Sequence, residues 1–293
     1  MEMRSYFKGL LNRIEPPDKY VSSAKKAHET LRKRLEEDDD VGQAHLDTFL
    51  SGSYARRTAI KEIKDVDIIC VLDIKWDITE PQVVLAWLQD ALQRYYKRVQ
   101  QQDRSVRVVT DDGVQLDLVP GAPISRADGP LRIPDRDVKT WVISHPKNQM
   151  AFAEKRNKET DGYFVQTVKI FKHWRDRLTS VDAKVKSYIL ETLVAESLYF
   201  PPASHAHGVV LVFESIWQRH SHHIGTGRVP AIPDPGYPSN SVSKRWKSRE
   251  FDTFMTGVKQ GSETAKRALA ATDEATSISE WRRLFGNKFA PPD

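Results

Sequence analysis

Three carboxylates in two apolar runs carry the chemistry available to this chain: Asp65 and Asp67 in Asp65-Val66-Asp67, and Asp117 in Val114-Gln115-Leu116-Asp117-Leu118-Val119. The run DVDIICVL at 65–72 reads as a strand. In a strand, residues i and i+2 share a face. Asp65 and Asp67 therefore project together, opposite Val66, Ile68 and Cys70. The run around Asp117 is a second strand, with Val114, Leu116 and Leu118 on its other face. If the two strands are neighbours, the three acids converge. Three uncompensated anions repel, and their natural partner is one or two hard divalent cations with oxygen ligands, typically Mg²⁺. A pair of such ions stabilises the attacking and leaving oxygens of a phosphoryl transfer. A single strand aspartate is most often a surface residue or a partner of arginine. These three rise above that reading because they sit in buried-type strands, where an unpaired acid is costly. A small turn, Gly52-Ser53, also precedes them, after the strand-like run 47–50. Glycine permits close backbone approach. A backbone N–H together with the Ser53 hydroxyl can hold a phosphate.

The surrounding elements must position these groups. Pro16-Pro17 opens a helix to about Glu37, with Val21, Ala24, Ala27, Leu31 and Leu35 on one face. Asp38-Asp39-Asp40 reads as a solvated loop. Pro81 opens a helix through about Gln101, with Val84, Leu85, Leu88, Leu92 and Tyr95 inward. The run 105–110 alternates as a strand, and Asp111-Asp112-Gly113 is a hairpin signal leading into the Asp117 strand. Residues 120–134 read as a loop and 140–144 as a strand. From Phe152 the pattern is helical: 163–178, 187–198, 209–220, 248–271 and 278–285, with a Pro/Gly-rich stretch at 225–243. The expectation is an α+β chain. A sheet lobe spans 1–150, with an N-terminal helix free to bridge, and a helical lobe spans 151–293.

Composition narrows the class. A chain of 293 residues can bury a large core. Its net charge of +5 suits an anionic ligand such as a nucleoside triphosphate, and there is no long Lys/Arg block. Cys70 is the one cysteine, which excludes an intrachain disulfide and a multi-cysteine zinc site. That usage points to a reduced, cytoplasmic protein. No apolar stretch approaches a membrane span, and the first 17 residues lack a signal-peptide core. They read as a weakly amphipathic docking segment. His205, His207, His220, His222 and His223 invite a metal reading, but the group at 220–223 fits the end of a helix better.

With these residues in hand, the chain resembles the DNA polymerase β-like nucleotidyltransferases. The superfamily likeness rests on Gly52-Ser53, Asp65-x-Asp67 and Asp117 in the expected order. Within that superfamily the chain is similar to the bacterial cGAS/DncV-like nucleotidyltransferases (CD-NTases). That closer likeness rests on Gly52-Ser53-Tyr54-Ala55-Arg56-Arg57-Thr58, Lys169-Ile170-Phe171-Lys172, Ser187-Tyr188 and the loop Asp234-Pro235-Gly236-Tyr237-Pro238-Ser239-Asn240. The resemblance implies a polymerase β-like catalytic lobe followed by a helical nucleotide-binding lobe. It implies a synthase of cyclic di- or trinucleotide second messengers for antiphage signalling, made from ATP, GTP or pyrimidine NTPs with release of pyrophosphate. Asp65, Asp67 and Asp117 would hold two Mg²⁺ ions, with Mn²⁺ able to substitute. Gly52, Ser53, Lys169, Lys172, Ser187 and Tyr188 would bind nucleotide, with Lys172 as an exposed cation on the β/γ-phosphates. The effector would be a separate protein, the enzyme a monomer, and no template nucleic acid or membrane would be needed. The chain departs from animal DNA-sensing relatives in having no His/Cys zinc cluster. A template-independent RNA nucleotidyltransferase, or a toxin-like transferase acting on tRNA or protein, would use the same carboxylates. An inactive scaffold would have no need of them.

Overall fold

The computed structural model describes residues 1–61, 65–136, 139–183 and 185–292. The chain divides into two compact units. One comprises 16–57 and 62–151; the other comprises 1–15, 58–61 and 152–293. The first 15 residues thus group with the helical half, whereas the sequence reading drew one boundary at 150.

Along the chain, α1 (Arg4–Ile14) belongs to the helical unit and ends before Pro16-Pro17. The sheet unit opens with α2 (Asp18–Glu36), α3 (Val41–Ala44), β1 (His45–Leu50) and α4 (Gly52–Ala55). Next come β2 (Val66–Leu72), α5 (Pro81–Gln93), β3 (Arg98–Gln101), β4 (Val106–Val109), β5 (Gln115–Pro123), β6 (Leu131–Asp135) and β7 (Thr140–Ser144). The seven strands form one sheet with the path β1-β2-β5-β4-β3, and β6 pairs with both β5 and β7. β2 and β5 run parallel, whereas β4 and β5 form the antiparallel hairpin that Asp111-Asp112-Gly113 announces. Gly113 takes φ +87°, a backbone angle that suits glycine.

Burial explains the layers. Val66, Ile68, Cys70, Val106, Val108, Leu116 and Leu118 cover one face of the sheet, all fully buried. Against them pack Ala24, Ala27, Leu31 and Leu35 of α2 and Leu85, Leu88 and Leu92 of α5. The three-and-four spacing of those positions makes one apolar stripe per helix. Part of the opposite face is closed by Ile69, Val71, Leu131 and Ile133.

Five sequence expectations for this unit need correction. α5 stops at Gln93 rather than near Gln101, because 98–101 pairs as β3 with β4. Sheet pairing there overrides helical spacing, and Tyr95 is exposed rather than inward. Residues 120–134 are not a plain loop, since β5 runs to Pro123 and β6 begins at Leu131. Val21 faces out, at 40% exposure. Asp38 is buried rather than solvated: it accepts from both Nη2 of Arg94 and the Tyr95 hydroxyl, and it caps the backbone N–H groups of Asp40 and Val41.

The chain passes from the sheet unit to the helical unit within α6 (Pro146–Glu159), and the helical unit adds α7 (Tyr163–Asp176), α8 (Ser187–Ala195) and α9 (His205–His220). A two-stranded ribbon, β8 (Pro233–Asp234) with β9 (Tyr237–Ser241), precedes α10 (Ser248–Ala270) and α11 (Glu274–Phe285). Its core is aromatic. Phe7 of α1 lies edge-on to Trp281 and to Phe289, each with ring centroids 5.1 Å apart. Trp174 lies edge-on to Phe213 at 4.9 Å. Such pairs add about 0.5–1.5 kcal/mol beyond the area they bury, which ties α1 to the helices around it.

Candidate active site

Sheet register assembles the acids. Asp67 of β2 is the direct partner of Asp117 on β5. Asp117 is in turn the partner of Arg107 on β4. Three adjacent strands, spaced about 4.7–4.9 Å, thus carry Asp67, Asp117 and Arg107 in one row. Asp65 stands two residues before Asp67 and joins them. Ligand oxygens of Asp65, Asp67 and Asp117 all lie within 4.8 Å of one another. The donor set is three carboxylates with no thiolate or imidazole, the hard-oxygen chemistry of Mg²⁺ or Mn²⁺. Among the described residues this is the one group of three or more acids, histidines or cysteines able to hold a metal. The histidines after α9 do not form such a group, and the rings of His222 and His223 pack on each other at 4.2 Å.

Gly52 shapes the rim of the site. Its φ is +63°, and a Cβ at this position would land on the Asp67 carboxylate. The Ser51 N–H donates to the Asp67 carbonyl at 2.8 Å. The Tyr54 hydroxyl donates to the Val21 carbonyl at 2.9 Å, fastening α4 to α2. Ser53 follows Gly52 in α4 and is half-buried. Burial, then the charge of Asp65, holds the Tyr20 phenol above its ordinary range.

Arg107 is the site residue that the sequence reading missed. Its Nε donates to Asp117 Oδ1 at 2.7 Å, and its Nη2 donates to Asp117 Oδ2 and to Asp65 Oδ2, each at 2.7 Å. The hydrogen bond to Asp117 holds its guanidinium above the usual arginine value. A signal for it exists in the sequence. The turn 111–113 centres on residue 112, so residues five before and five after it, 107 and 117, must face each other.

The second-lobe candidates all lie in the helical unit. Lys172 is not the exposed cation expected of it: it is 3% exposed. Its ammonium donates to Glu191 Oε1 at 2.7 Å, to the Thr58 carbonyl at 3.0 Å and to Thr58 Oγ1 at 3.2 Å. The Thr58 hydroxyl donates to the same Glu191 oxygen at 2.9 Å. Helical spacing puts Lys172 next to Phe171 on the inward side of α7, where a lysine is tolerated only when paired. Lys169, one turn earlier, pairs with Glu15 at 2.7 Å. Ser187 Oγ accepts from Arg175 at 2.9 Å. The Tyr188 hydroxyl donates to Asp234 Oδ1 at 2.7 Å, and the Gly236 N–H donates to the same oxygen. Ser187 and Tyr188 thus open α8, and Tyr188 is tied to the 234–240 loop.

A parallel β2–β5 pair presenting facing aspartates beside a Gly-Ser turn defines a nucleotidyltransferase of the polymerase β-like fold. The family described as the Second Messenger Oligonucleotide or Dinucleotide Synthetase domain matches residues 1–157. A cyclic AMP-AMP-AMP synthase of Acinetobacter sp. is 32% identical over 298 residues, covering 99% of this chain and 86% of that protein. A cyclic AMP-AMP-GMP synthase of Enterobacter hormaechei is 26% identical and covers 100% of this chain and 93% of that protein. The solved structure of E. coli MS115-1 CdnC with ATP matches with a TM-score of 0.82 at 17% identity, over 99% of both chains. That last likeness carries the fold. The chain belongs to the Second Messenger Oligonucleotide or Dinucleotide Synthetase family, the CD-NTases, and is a nucleotidyltransferase making cyclic oligonucleotide second messengers. No described helix is long and apolar enough to cross a membrane.

Proposed function

We propose that the protein joins nucleoside triphosphates, ATP foremost, into a cyclic trinucleotide used as an antiphage signal and read by a separate effector protein. The observation that carries this reading is the register pair Asp67–Asp117, with Asp65 beside it and Gly52-Ser53 at its rim. Two Mg²⁺ ions suit the donor set, and Mn²⁺ can replace them. When bound, the metal lowers the pKa of an attacking ribose hydroxyl and stabilises charge on the α-phosphate and the leaving pyrophosphate.

The chain's own residues do the rest. Asp65 and Asp67 hold the cations, and Asp117 completes the catalytic set and orients the hydroxyl. Ser53 and the turn backbone hold the triphosphate. The hydroxyl gives up its proton to water as its oxygen bonds to the α-phosphorus, the bond from that phosphorus to the bridging β-phosphate oxygen breaks, and pyrophosphate leaves with that electron pair. Repetition of the step, with a final intramolecular one, closes the ring. Lys169, Lys172 and Ser187 serve the phosphates, and Tyr188 stacks on a base, an interaction worth about 1–3 kcal/mol. For Lys172 to reach a phosphate it must first leave both Glu191 and Thr58.

The adenine preference and the three-membered ring are supported by the relatives. The Acinetobacter relative is a cyclic AMP-AMP-AMP synthase and the Enterobacter hormaechei relative a cyclic AMP-AMP-GMP synthase. The test is mass spectrometry of reactions containing protein, Mg²⁺ and either ATP alone or all four NTPs. A phosphatase-resistant cyclic trinucleotide is the expected product. Extension of an added RNA primer, with no cyclic species, would instead establish an RNA nucleotidyltransferase.

A further inference from the structure

We infer that Arg107 is a positioning residue of the metal site: it fixes both oxygens of Asp117, offsets one negative charge of the triad, and releases Asp65 when a cation binds. The inference rests on the metal-site reading above and extends it to a residue on the neighbouring strand.

Register makes the contact intrinsic to the fold. Arg107 and Asp117 are direct partners in the β4–β5 ladder. Val106 and Val108, on either side of Arg107, are fully buried, so the root of the side chain is pinned. From that root the guanidinium meets Asp117 as a fork, Nε to Oδ1 and Nη2 to Oδ2, both at 2.7 Å. A two-pronged hydrogen bond sets the rotation of a carboxylate as well as its place, which a single contact does not do. The third bond, Nη2 to Asp65 Oδ2 at 2.7 Å, spans the gap between the two acids.

Two consequences follow. Before metal arrives, three acids with oxygens within 4.8 Å of one another repel less because a cation already lies among them. The site therefore keeps its shape without metal, which lowers the reorganisation needed at the moment of reaction. Once metal is bound, its positive charge competes with Arg107 for Asp65, while the fork on Asp117 can persist. The net charge that a cation meets is reduced from three negative charges towards two. Arg107 thus weakens bare-metal binding while it sharpens the geometry used in turnover. Weak affinity for metal alone favours metal arriving together with a triphosphate, which brings its own anionic ligands.

The test compares Arg107→Gln and Arg107→Lys with the wild-type chain, using Mn²⁺ alone as the probe. Free Mn²⁺ is followed by electron paramagnetic resonance, melting is followed in EDTA, and turnover is followed with ATP and Mg²⁺. Removing the charge in Arg107→Gln should lower the melting temperature in EDTA and tighten Mn²⁺ binding on the order of tenfold. Turnover should nevertheless fall by about tenfold or more, because Asp117 loses its fork. Arg107→Lys keeps the charge, so Mn²⁺ affinity should stay within about threefold of wild type, but it loses the fork, so turnover should still fall. Mn²⁺ affinity unchanged or weakened in folded Arg107→Gln would overturn the role, since a merely structural residue would behave that way. Wild-type turnover in Arg107→Lys would overturn it equally, and that arm decides if the Gln variant does not fold. A wild-type chain that takes up no Mn²⁺ either alone or with ATP, and turns over equally well in EDTA, would overturn the metal-site reading itself, and this inference with it.

Discussion

Gly52 presents only hydrogen towards Asp67, and its φ of +63° lies where other residues are strained. Gly52→Ala should therefore cost roughly 1–3 kcal/mol of stability. It should reduce turnover more than tenfold, because the methyl displaces the Asp67 carboxylate. Thermal melting and initial rates check this; a variant matching wild type in both would show that the turn tolerates a side chain. The sign of carboxylate removal also depends on neighbours. Three like charges alone would make Asp117→Asn stabilising without metal. Arg107 reverses that sign, because the substitution removes the acceptor of a charged fork. Melting in EDTA should therefore drop for Asp117→Asn, and a rise would mean that repulsion dominates the site. Cys70 is silent chemically. Burial pushes its thiol up to about 12. Native protein at pH 8 should resist iodoacetamide while denatured protein is labelled, as intact mass would report; labelling of the native chain would place Cys70 within reach of solvent.

At the scale of elements, α7 and α8 are joined by a buried ion pair. Lys172 and Glu191 are 3% and 4% exposed at their side chains, and Thr58 bonds to both. Truncating one member of such a pair leaves the other charge buried and typically costs about 3–5 kcal/mol. Lys172→Ala should therefore destabilise the chain by about that much, as measured by chemical denaturation. A loss of about 1 kcal/mol or less, as an exposed helix position would give, would contradict the buried arrangement. The same pair marks where the sequence was opaque. Helical spacing identified α7, but a lysine next to Phe171 gives no sign by itself that an acid nineteen residues on will meet it. Strand alternation put Asp65 and Asp67 on one face, but their meeting with Asp117 rests on the parallel β2–β5 pairing, a non-local contact that the sequence offered only as a condition; the hairpin signal fixes the β4–β5 register alone. That logic also reached Arg107 in principle, since the turn centre sets the 107–117 pairing. β3 was missed for the opposite reason: 98–101 becomes a strand only through its pairing with β4, which local propensity does not encode.

At the scale of the whole molecule, both compact units hold histidines whose charging is opposed chiefly by burial: His28 and His45 in the sheet unit, His173 and His205 in the helical unit. Each has its pKa held below the ordinary 6.5. As pH falls through 6.5 the unfolded chain takes up these protons before the folded chain does, so stability falls with pH in that window. The melting temperature should be lower at pH 5.5 than at pH 7.5; an equal or higher value at pH 5.5 would show that other groups outweigh these four. In the proposed function, nucleotidyl transfer depends on metal held by Asp65, Asp67 and Asp117, whose oxygens lie within 4.8 Å of one another. The measurement that tests it most directly follows α-labelled ATP with Mg²⁺ and phosphatase, comparing wild type with Asp67→Asn at matched folded concentration. The account predicts a phosphatase-resistant cyclic product from wild type and none from Asp67→Asn. A folded Asp67→Asn protein that forms the product at the wild-type rate would contradict it.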